Sequence, residues 1–224
     1  MELSKAAIVV AHPDDEVIWF SSLTRKVAKI VMCYGSNPRV VERENQRRKV
    51  VQDYPIKTVQ FLDLPEPDFW RGRQLGPVDQ ELARLDNENP EFRERLAADL
   101  RSALKNISTV FVHNPWGEYG HDDHRRLYLV VSELQKDMGF QVYVSNYVEK
   151  RALHLMNAVF NMDITDIAMF EVEADDIMQI VRLYKQNSCW TWAENWKWPK
   201  QEQFLRVEGT KKRAAAVPLM LFNI

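Results

Sequence analysis

The stretch AAIVVAHPDDE, residues 6–16, joins a short apolar run to a polar turn. The apolar part, Ala6–Ala11, is continuous rather than alternating in hydrophobicity, which predicts a strand buried on both faces, as in a parallel sheet. Pro13 fixes its own φ and disfavours helix at the residue before it, so the chain turns out of the sheet there. The carboxylates that follow fall in the first turn of a predicted helix, Asp14–Val27, where the helix dipole favours them.

Short apolar runs alternate with amphipathic stretches through the first half of the chain, which is typical of βαβ units. The further predicted strands are Ile30–Tyr34, Thr58–Leu62, Thr109–His113 and Gln141–Val144. The further predicted helices are Arg39–Asp53, Phe92–Leu104 and Arg126–Lys136. The pattern predicts the α/β class: a Rossmann-like, mostly parallel sheet with helices on both faces.

The second half of the chain is less regular. A helix over Ala174–Gln186 and a strand over Gln203–Val207 are predicted there. No Ser/Gly-rich linker separates the halves, so we interpret residues 1–224 as a single domain, with a core over 1–150 and a C-terminal elaboration over 151–224. The long polar insertion Asp63–Pro90 exceeds an ordinary connection and is a candidate lid.

Composition excludes several classes of protein. The 224 residues are 46% hydrophobic and 28% charged, which is ordinary globular usage and excludes disorder and fibres. A formal charge of −2 argues against a nucleic-acid partner, because neutralising phosphates requires a basic excess. The apolar runs are too short for a transmembrane segment or a signal peptide. Two distant cysteines, Cys33 and Cys189, fit a cytoplasmic protein.

Two polar clusters follow predicted strands at the same edge of the sheet. The first contains His12, Asp14 and Asp15; the second, HNPWGEYGHDDHRR at residues 113–126, contains His121 and His124 three residues apart. Ligands bind at the carboxyl ends of strands in such sheets. Imidazole and carboxylate together suit zinc, so we predict a metal site here, with Fe²⁺ or another divalent ion left open.

AHPDDE followed far downstream by GHDDH resembles the PIG-L/LmbE-like family of zinc-dependent N-acetylglucosaminyl de-N-acetylases. The resemblance covers most of residues 5–147 and is thin beyond 150. By position it implies three zinc ligands, His12, Asp15 and His124. It further implies that Asp14 is the general base, that His121 stabilises the oxyanion, and that Asp123 orients a neighbouring imidazole.

The resemblance also suggests substrate contacts, with departures from the family pattern. Where the family carries Arg-x-x-Glu, this sequence has Arg43 with Gln46, so Arg43 is a candidate contact to a sugar hydroxyl. FLDLPEPD resembles the family's FLGxPD turn and brings Glu66 or Asp68 near the sugar, without deciding between them. Trp116 lies inside the ligand loop and is a further candidate.

Aromatic residues add a second departure. The family continues its first motif with glycine, whereas Trp19 and Phe20 here would narrow or re-line the pocket. Four tryptophans lie close together at Trp190, Trp192, Trp196 and Trp198. They form either a wall for a sugar or its aglycone, or a C-terminal core patch or oligomer seam. His113 and His154 are expected to be structural.

The leading hypothesis is therefore a metal-dependent hydrolase that removes an acetyl group from a small N-acetyl amino sugar conjugate. A related zinc amidase or esterase is an alternative. A non-catalytic sugar- or metal-binding relative is disfavoured because Asp14 is retained although it need not bind the metal. A nucleotide-binding protein is disfavoured because His-Pro-Asp-Asp occupies the loop that would carry glycines. Homo-oligomerisation is left open.

Overall fold

A computed structural model describes residues 1–36, 41–56, 58–67, 75–86, 90–159, 164–207 and 220–222. The α-helices are α1 (Asp15–Trp19), α2 (Val41–Gln52), α3 (Val78–Asp86), α4 (Pro90–Ala103), α5 (Gly117–Gly120), α6 (Asp122–Met138), α7 (Leu153–Val159) and α8 (Ala174–Gln186). The strands are β1 (Ala6–Val10), β2 (Lys29–Ser36), β3 (Val59–Pro65), β4 (Thr109–Val112), β5 (Gln141–Ser145), β6 (Tyr147–Glu149), β7 (Ile164–Glu171), β8 (Gln201–Val207) and β9 (Met220–Phe222). Short 3₁₀ helices cover Leu3–Lys5, Ser21–Leu23 and Lys150–Ala152.

Seven strands form the main sheet in the order β3-β2-β1-β4-β5-β8-β7. The first five are parallel, whereas β8 is antiparallel to both β5 and β7. A second, two-stranded sheet pairs β6 with β9 in parallel. The order reverses between β1 and β4, because the chain moves outward from β1 to β3 and then returns to the other side of β1. In open α/β sheets, ligands bind at such a switch point, outside the carboxyl ends of the strands.

Helices cover both faces of the sheet, as the continuous apolar strands predict. Val9 and Val112 pack in one hydrophobic cluster with residues of α4 and α6. Ile8 and Phe111 point to the other face and pack with residues of α1, α2 and α8. Successive strand residues point to opposite faces, so a strand covered on both sides must be apolar at every position. All five residues of β1 are accordingly buried.

The predicted α/β class, the mostly parallel sheet and the C-terminal helix Ala174–Gln186 are confirmed. The single helix predicted over Asp14–Val27 is wrong: α1 ends at Trp19, and a 3₁₀ turn follows from Ser21. The carboxylate of Glu202 on β8 accepts hydrogen bonds from the backbone N–H and hydroxyl of both Ser21 and Ser22. These bonds hold the serine N–H groups away from continued helix geometry.

The two less regular segments differ from a plain loop. In the polar insertion Asp63–Pro90, the structure describes residues 63–67, 75–86 and 90. The helix α3 lies within this insertion. The C-terminal half adds strands β7 and β8 to the main sheet itself. Among the described residues, no helix is long and apolar enough to cross a membrane.

Candidate metal centre and active site

The two polar clusters meet at the switch point of the sheet. His12–Asp15 follow β1 directly, and His113–His124 follow the neighbouring strand β4. The rings of His12 and His121 lie 5.0 Å apart and those of His12 and His124 lie 5.8 Å apart, all centroid to centroid. The prediction that these separate loops converge at one sheet edge therefore agrees with the geometry.

The backbone of the first motif separates its two adjacent aspartates. Asp14 adopts a left-handed conformation with φ of 99°, which costs a non-glycine residue roughly 1–3 kcal/mol. The Glu16 carboxylate compensates in part, because its Oε2 accepts the Asp14 backbone N–H at 3.0 Å. Asp15 turns back toward the sheet, where its Oδ2 accepts the His12 backbone N–H at 2.8 Å. One carboxylate thus points to the histidines while its neighbour points elsewhere.

His12, Asp15 and His124 form a compact set of buried ligand atoms. His12 Nδ1 lies 3.3 Å from Asp15 Oδ2, and His124 Nε2 lies 3.4 Å from Asp15 Oδ1. The three candidate ligand atoms all lie within 4.8 Å of one another. His124 Nε2 is buried and makes no hydrogen bond to any part of the chain that the structure describes. A divalent metal fits this donor set, because a buried nitrogen without a partner is costly unless a ligand fills the gap.

The second nitrogen of each imidazole meets a carboxylate. His12 Nε2 lies 3.1 Å from Asp123 Oδ2, and His124 Nδ1 lies 2.7 Å from Glu118 Oε2. Arg126 in turn donates to Asp123 Oδ1 at 2.5 Å. Carboxylates on the outer nitrogen fix the tautomer and orientation of metal-binding histidines. Asp123 thus contacts His12, and its role in orienting that imidazole stays a prediction.

Glu118 is a residue that the sequence analysis missed. It is fully buried and also contacts His113 Nδ1 at 3.1 Å, and the hydroxyl of Ser145 donates to it. Burial alone would raise the pKa of Glu118, but the charges and hydrogen bonds of His113 and His124 lower it to about 2. The only signal in the sequence is an acidic residue between two glycines, directly before the histidine pair.

His113 closes the inner side of the cluster. Its ring stacks on that of His124 with centroids 3.7 Å apart, and its Nε2 accepts the backbone N–H of Ala11 at 3.1 Å. His113 Nε2 also lies 3.5 Å from Asp15 Oδ2. Together with Glu118 and His124 it forms a further compact group of possible ligands. One hydrogen bond thus connects His113 to the residue that follows β1, and the structural role expected for His113 stays a prediction.

His121 lies beside the ligand set, with its ring centroid 5.0 Å from that of His12. Its Nδ1 accepts the backbone N–H of Asp123 at 3.2 Å, and its ring stacks on His124 with centroids 4.6 Å apart. Burial, followed by the charges of His124 and His12, lowers the pKa of His121 well below its usual value. A neutral imidazole that accepts at Nδ1 carries its proton on Nε2, where it is a donor. His12, His121 and Asp123 are an alternative compact ligand group.

Asp14 is the carboxylate of the site that Thr191 holds. Its Oδ2 accepts two hydrogen bonds from Thr191, from the backbone N–H at 3.0 Å and from Oγ1 at 2.5 Å. Burial and the adjacent charge of Asp15 raise the pKa of Asp14 to about 6, against the Thr191 hydrogen bonds and the charge of Arg47, which lower it. For Asp15 burial also raises the pKa, but the charge of His124 and hydrogen bonds from histidines bring it well below its usual value.

The residues predicted to contact the substrate do not all lie at the site. Glu66 reaches the site, with Oε1 4.0 Å from His12 Nε2, and it is paired with the buried guanidinium of Arg47. Arg43 is half-buried one helical turn before Arg47 on α2. Asp68 lies outside the described residues. Trp116 is fully buried in the core, and its Nε1 donates to the Tyr147 carbonyl at 2.8 Å, so it is not on a surface that a substrate could reach.

Aromatic side chains line the other side of the cluster. Trp19 is fully buried and its Nε1 donates to Asp15 Oδ1 at 3.1 Å, so it contacts the proposed ligand. Trp192 packs on Trp19 and on Tyr119, with centroids 5.0 and 5.3 Å apart, and Trp196 packs on Trp192 at 5.6 Å. The tryptophan cluster is thus half-buried against the core and reaches the edge of the site.

The fold has been seen before in solved structures. The zinc-inhibited form of a teicoplanin deacetylase is similar with a TM-score of 0.60 at 14% identity, over 91% of this chain and 98% of that chain. A deacetylase–teicoplanin complex gives 0.58 at 12% identity, over 90% and 98%. An antimicrobial pseudoaglycone deacetylase gives 0.59 at 9% identity, over 94% and 100%. At these identities the likeness shows a shared fold.

Sequence comparison gives the family. None of the curated proteins compared with the chain matches its sequence. The family model of the GlcNAc-PI de-N-acetylases, PIG-L, matches residues 7–135, more than half of the 224 residues. The matched range contains both polar clusters and every residue of the compact ligand groups. The chain therefore belongs to the PIG-L family of GlcNAc-PI de-N-acetylases.

Proposed function

We propose that this protein is a metal-dependent hydrolase that removes the acetyl group from a small N-acetyl amino sugar conjugate. The observation that carries the proposal is the carboxylate of Asp14, which lies outside the compact set His12, Asp15 and His124 but next to it in the chain. A purely structural metal site needs no further carboxylate, whereas amide hydrolysis needs a base next to the metal. The family and the deacetylase activity of the structurally similar proteins support the same reaction.

His12 Nδ1, Asp15 and His124 Nε2 would hold the metal, for which zinc is the first candidate and Fe²⁺ the second. When bound, the metal supplies Lewis acidity that activates water and polarises the amide carbonyl. The zinc-inhibited form of the teicoplanin deacetylase shows that zinc acts on that protein. Zinc must therefore be tested here from substoichiometric amounts upward.

Asp14 transfers the proton in this proposed mechanism, and His121 stabilises the oxyanion. Asp14 accepts a proton from the attacking water as its oxygen bonds to the acetyl carbon. The Nε2–H of neutral His121 donates to the developing oxyanion. Asp14 then returns the proton to the amide nitrogen, the C–N bond breaks, and the amino sugar leaves with acetic acid, which ionises to acetate by giving its proton to the amine or to water. The same carboxylate thus acts first as base and then as acid.

Sugar recognition is assigned to the polar side of the crevice. Glu66 lies within reach of the histidines, and its pairing with Arg47 fixes the carboxylate in place. We retain Arg43, on the same face of α2, as a contact for a sugar hydroxyl. The half-buried tryptophans on the opposite side suit the apolar face of the sugar or its aglycone.

The first experiment measures the metal content of the purified protein by mass spectrometry and then amine release from a panel of N-acetylglucosaminides, with and without a chelator. One equivalent of metal with chelator-sensitive release is the expected result. Metal without release from any amino sugar would redirect the function to other amides or esters. A protein that takes up no metal after reconstitution would contradict the proposal.

Variants separate the roles of the histidines. His12→Ala and His124→Ala should lose both metal and turnover, whereas Asp14→Asn should keep the metal and lose turnover. His121→Ala should keep the metal and lower kcat by about 10²–10³-fold, as loss of an oxyanion donor does. His154→Ala, at an exposed position on α7, is the matched control. If His121→Ala empties the site, His12, His121 and Asp123 are the ligands instead.

A further inference from the structure

The carboxylate of Asp14 is held by a residue far away in the sequence. Thr191 lies 177 residues later, in the segment between α8 and β8. Both of its donors reach the same oxygen, Oδ2, from the backbone N–H at 3.0 Å and from the side-chain Oγ1 at 2.5 Å. Two donors on one oxygen fix the rotation of the carboxylate about its Cβ–Cγ bond.

The second oxygen of Asp14 is left for chemistry. In the described part of the chain Oδ1 makes no hydrogen bond, while the backbone N–H of Asp14 is held by Glu16. Asp14 is therefore fixed at its backbone and at Oδ2, and Oδ1 is its available proton acceptor. A carboxylate with one oxygen held by hydrogen bonds presents its other oxygen in a defined direction, as a catalytic group requires.

The segment that carries Thr191 is anchored on both sides of it. Before Thr191, the backbone N–H of Cys189 donates to the Tyr184 carbonyl at 2.9 Å. After it, Trp198 Nε1 donates to the Val17 carbonyl on α1 at 2.6 Å. Trp192 packs on Trp19. The first contact connects the segment to α8. The contacts of Trp198 and Trp192 connect it to α1, the helix that begins at Asp15, and so place Thr191 beside Asp14.

We infer that Thr191 is a positioning residue for the deacetylation: its two hydrogen bonds direct Asp14 Oδ1 toward the attacking water. The inference rests on the proposed function. It assigns part of the active site to the C-terminal region, outside the residues matched by the family model. Thr191 acts through Asp14 and need not touch the substrate.

The test compares Thr191→Val, which keeps the shape and removes the hydroxyl, with Thr191→Ser, which keeps the hydroxyl. Thr191→Val should lower kcat by about 10- to 100-fold, as a misplaced catalytic group does, with KM and bound metal close to those of the wild type. Thr191→Ser should return most of the lost rate. Thr165→Val, at an exposed position on β7, is the matched control. Unchanged kcat in Thr191→Val, or an equal loss of bound metal, would overturn the inference.

A second measurement does not depend on turnover. Urea unfolding of the metal-free protein is compared for Thr191→Val in the wild-type and Asp14→Gly backgrounds, because glycine accepts the positive φ of Asp14. The variant should lower the unfolding midpoint only where the carboxylate is present. Equal shifts in both backgrounds would show that the hydroxyl hydrogen bond contributes nothing and would overturn the inference. A wild-type protein without amidase activity would instead remove the proposed function, whatever the outcome for this hydrogen bond.

Discussion

At the scale of single residues, Glu118 connects the inner histidines of the site. A buried carboxylate without partners is costly, and Glu118 is stable there because His113, His124 and the Ser145 hydroxyl all contact it. Glu118 contacts Nδ1 of His124, and Asp123 contacts Nε2 of His12 in the same way. In both histidines this is the nitrogen that is not a candidate metal ligand. The paired arrangement fixes the orientations of both imidazoles, as the proposed metal site requires.

Glu118→Gln should weaken metal affinity by about 10- to 100-fold, the usual effect of losing such an outer carboxylate. The amide keeps the size of the side chain and removes the charge that orients His124. Affinity is measured by competition with a chromophoric chelator. Glu202→Gln is the matched control, since Glu202 is equally buried but contacts Ser21, Ser22 and Tyr147. Equal affinities in Glu118→Gln and the wild type would contradict this role.

The sequence is informative at this scale where a motif places residues locally. The convergence of the two polar clusters follows from strand ends and short spacing, whereas the set His12, Asp15 and His124 within them is what the family resemblance implies. Thr191 could not be predicted, because its contact with Asp14 spans 177 residues and depends on how the C-terminal segment packs. Tryptophan suits both a core and a binding surface, so composition could not show that Trp116 is buried.

At the scale of elements, the turn that precedes the histidine pair depends on glycine. α5 is a single turn whose first residue, Gly117, has φ of +68°, and a Cβ placed there would lie 2.9 Å from Arg125 Cγ. Gly139, which ends α6, has a similar φ of +74° but open space around it. An alanine at Gly139 would therefore carry only the cost of a positive φ, whereas an alanine at Gly117 would also carry the cost of steric crowding.

Gly139→Ala should lower the free energy of unfolding by about 1–2 kcal/mol, the cost of a left-handed alanine. Gly117→Ala should lose a further amount of about 1–3 kcal/mol, because the buried Arg125 side chain must move. Urea denaturation of both variants measures the difference. Only Gly117→Ala should also reduce metal retention, since it displaces the turn that bears Glu118. Equal destabilisation by the two variants would show that Arg125 adapts at no cost.

Element boundaries were predictable only where local signals decide them. The Ala174–Gln186 helix was predicted at its observed bounds because its amphipathic pattern is local. α1 is shorter than predicted because Glu202, 180 residues after Ser22, binds the serine N–H groups. A tertiary hydrogen bond of this kind overrides helix propensity and leaves no trace in the neighbouring sequence.

At the scale of the whole molecule, the C-terminal part belongs to the main sheet. β8 pairs with β5 through Val144 and Leu205, and β7 pairs with the far side of β8. Phe204 packs in the cluster on one face of the sheet and Leu205 in the cluster on the other. Both hydrophobic cores thus depend on residues beyond 200, which parallel-sheet patterning in the first half could not reveal.

We therefore predict that the chain unfolds as one cooperative unit. Four of its seven tryptophans lie between residues 190 and 198, so fluorescence reports mainly the C-terminal region, while far-UV circular dichroism reports the helices throughout. The two denaturation curves should coincide, as in a two-state transition. A chain ending at Val159 should show no cooperative transition, because it lacks β8 and exposes both cores. Separate transitions in the full chain, or a folded shorter chain, would instead make residues 1–159 an independent unit and the C-terminal region an appendage.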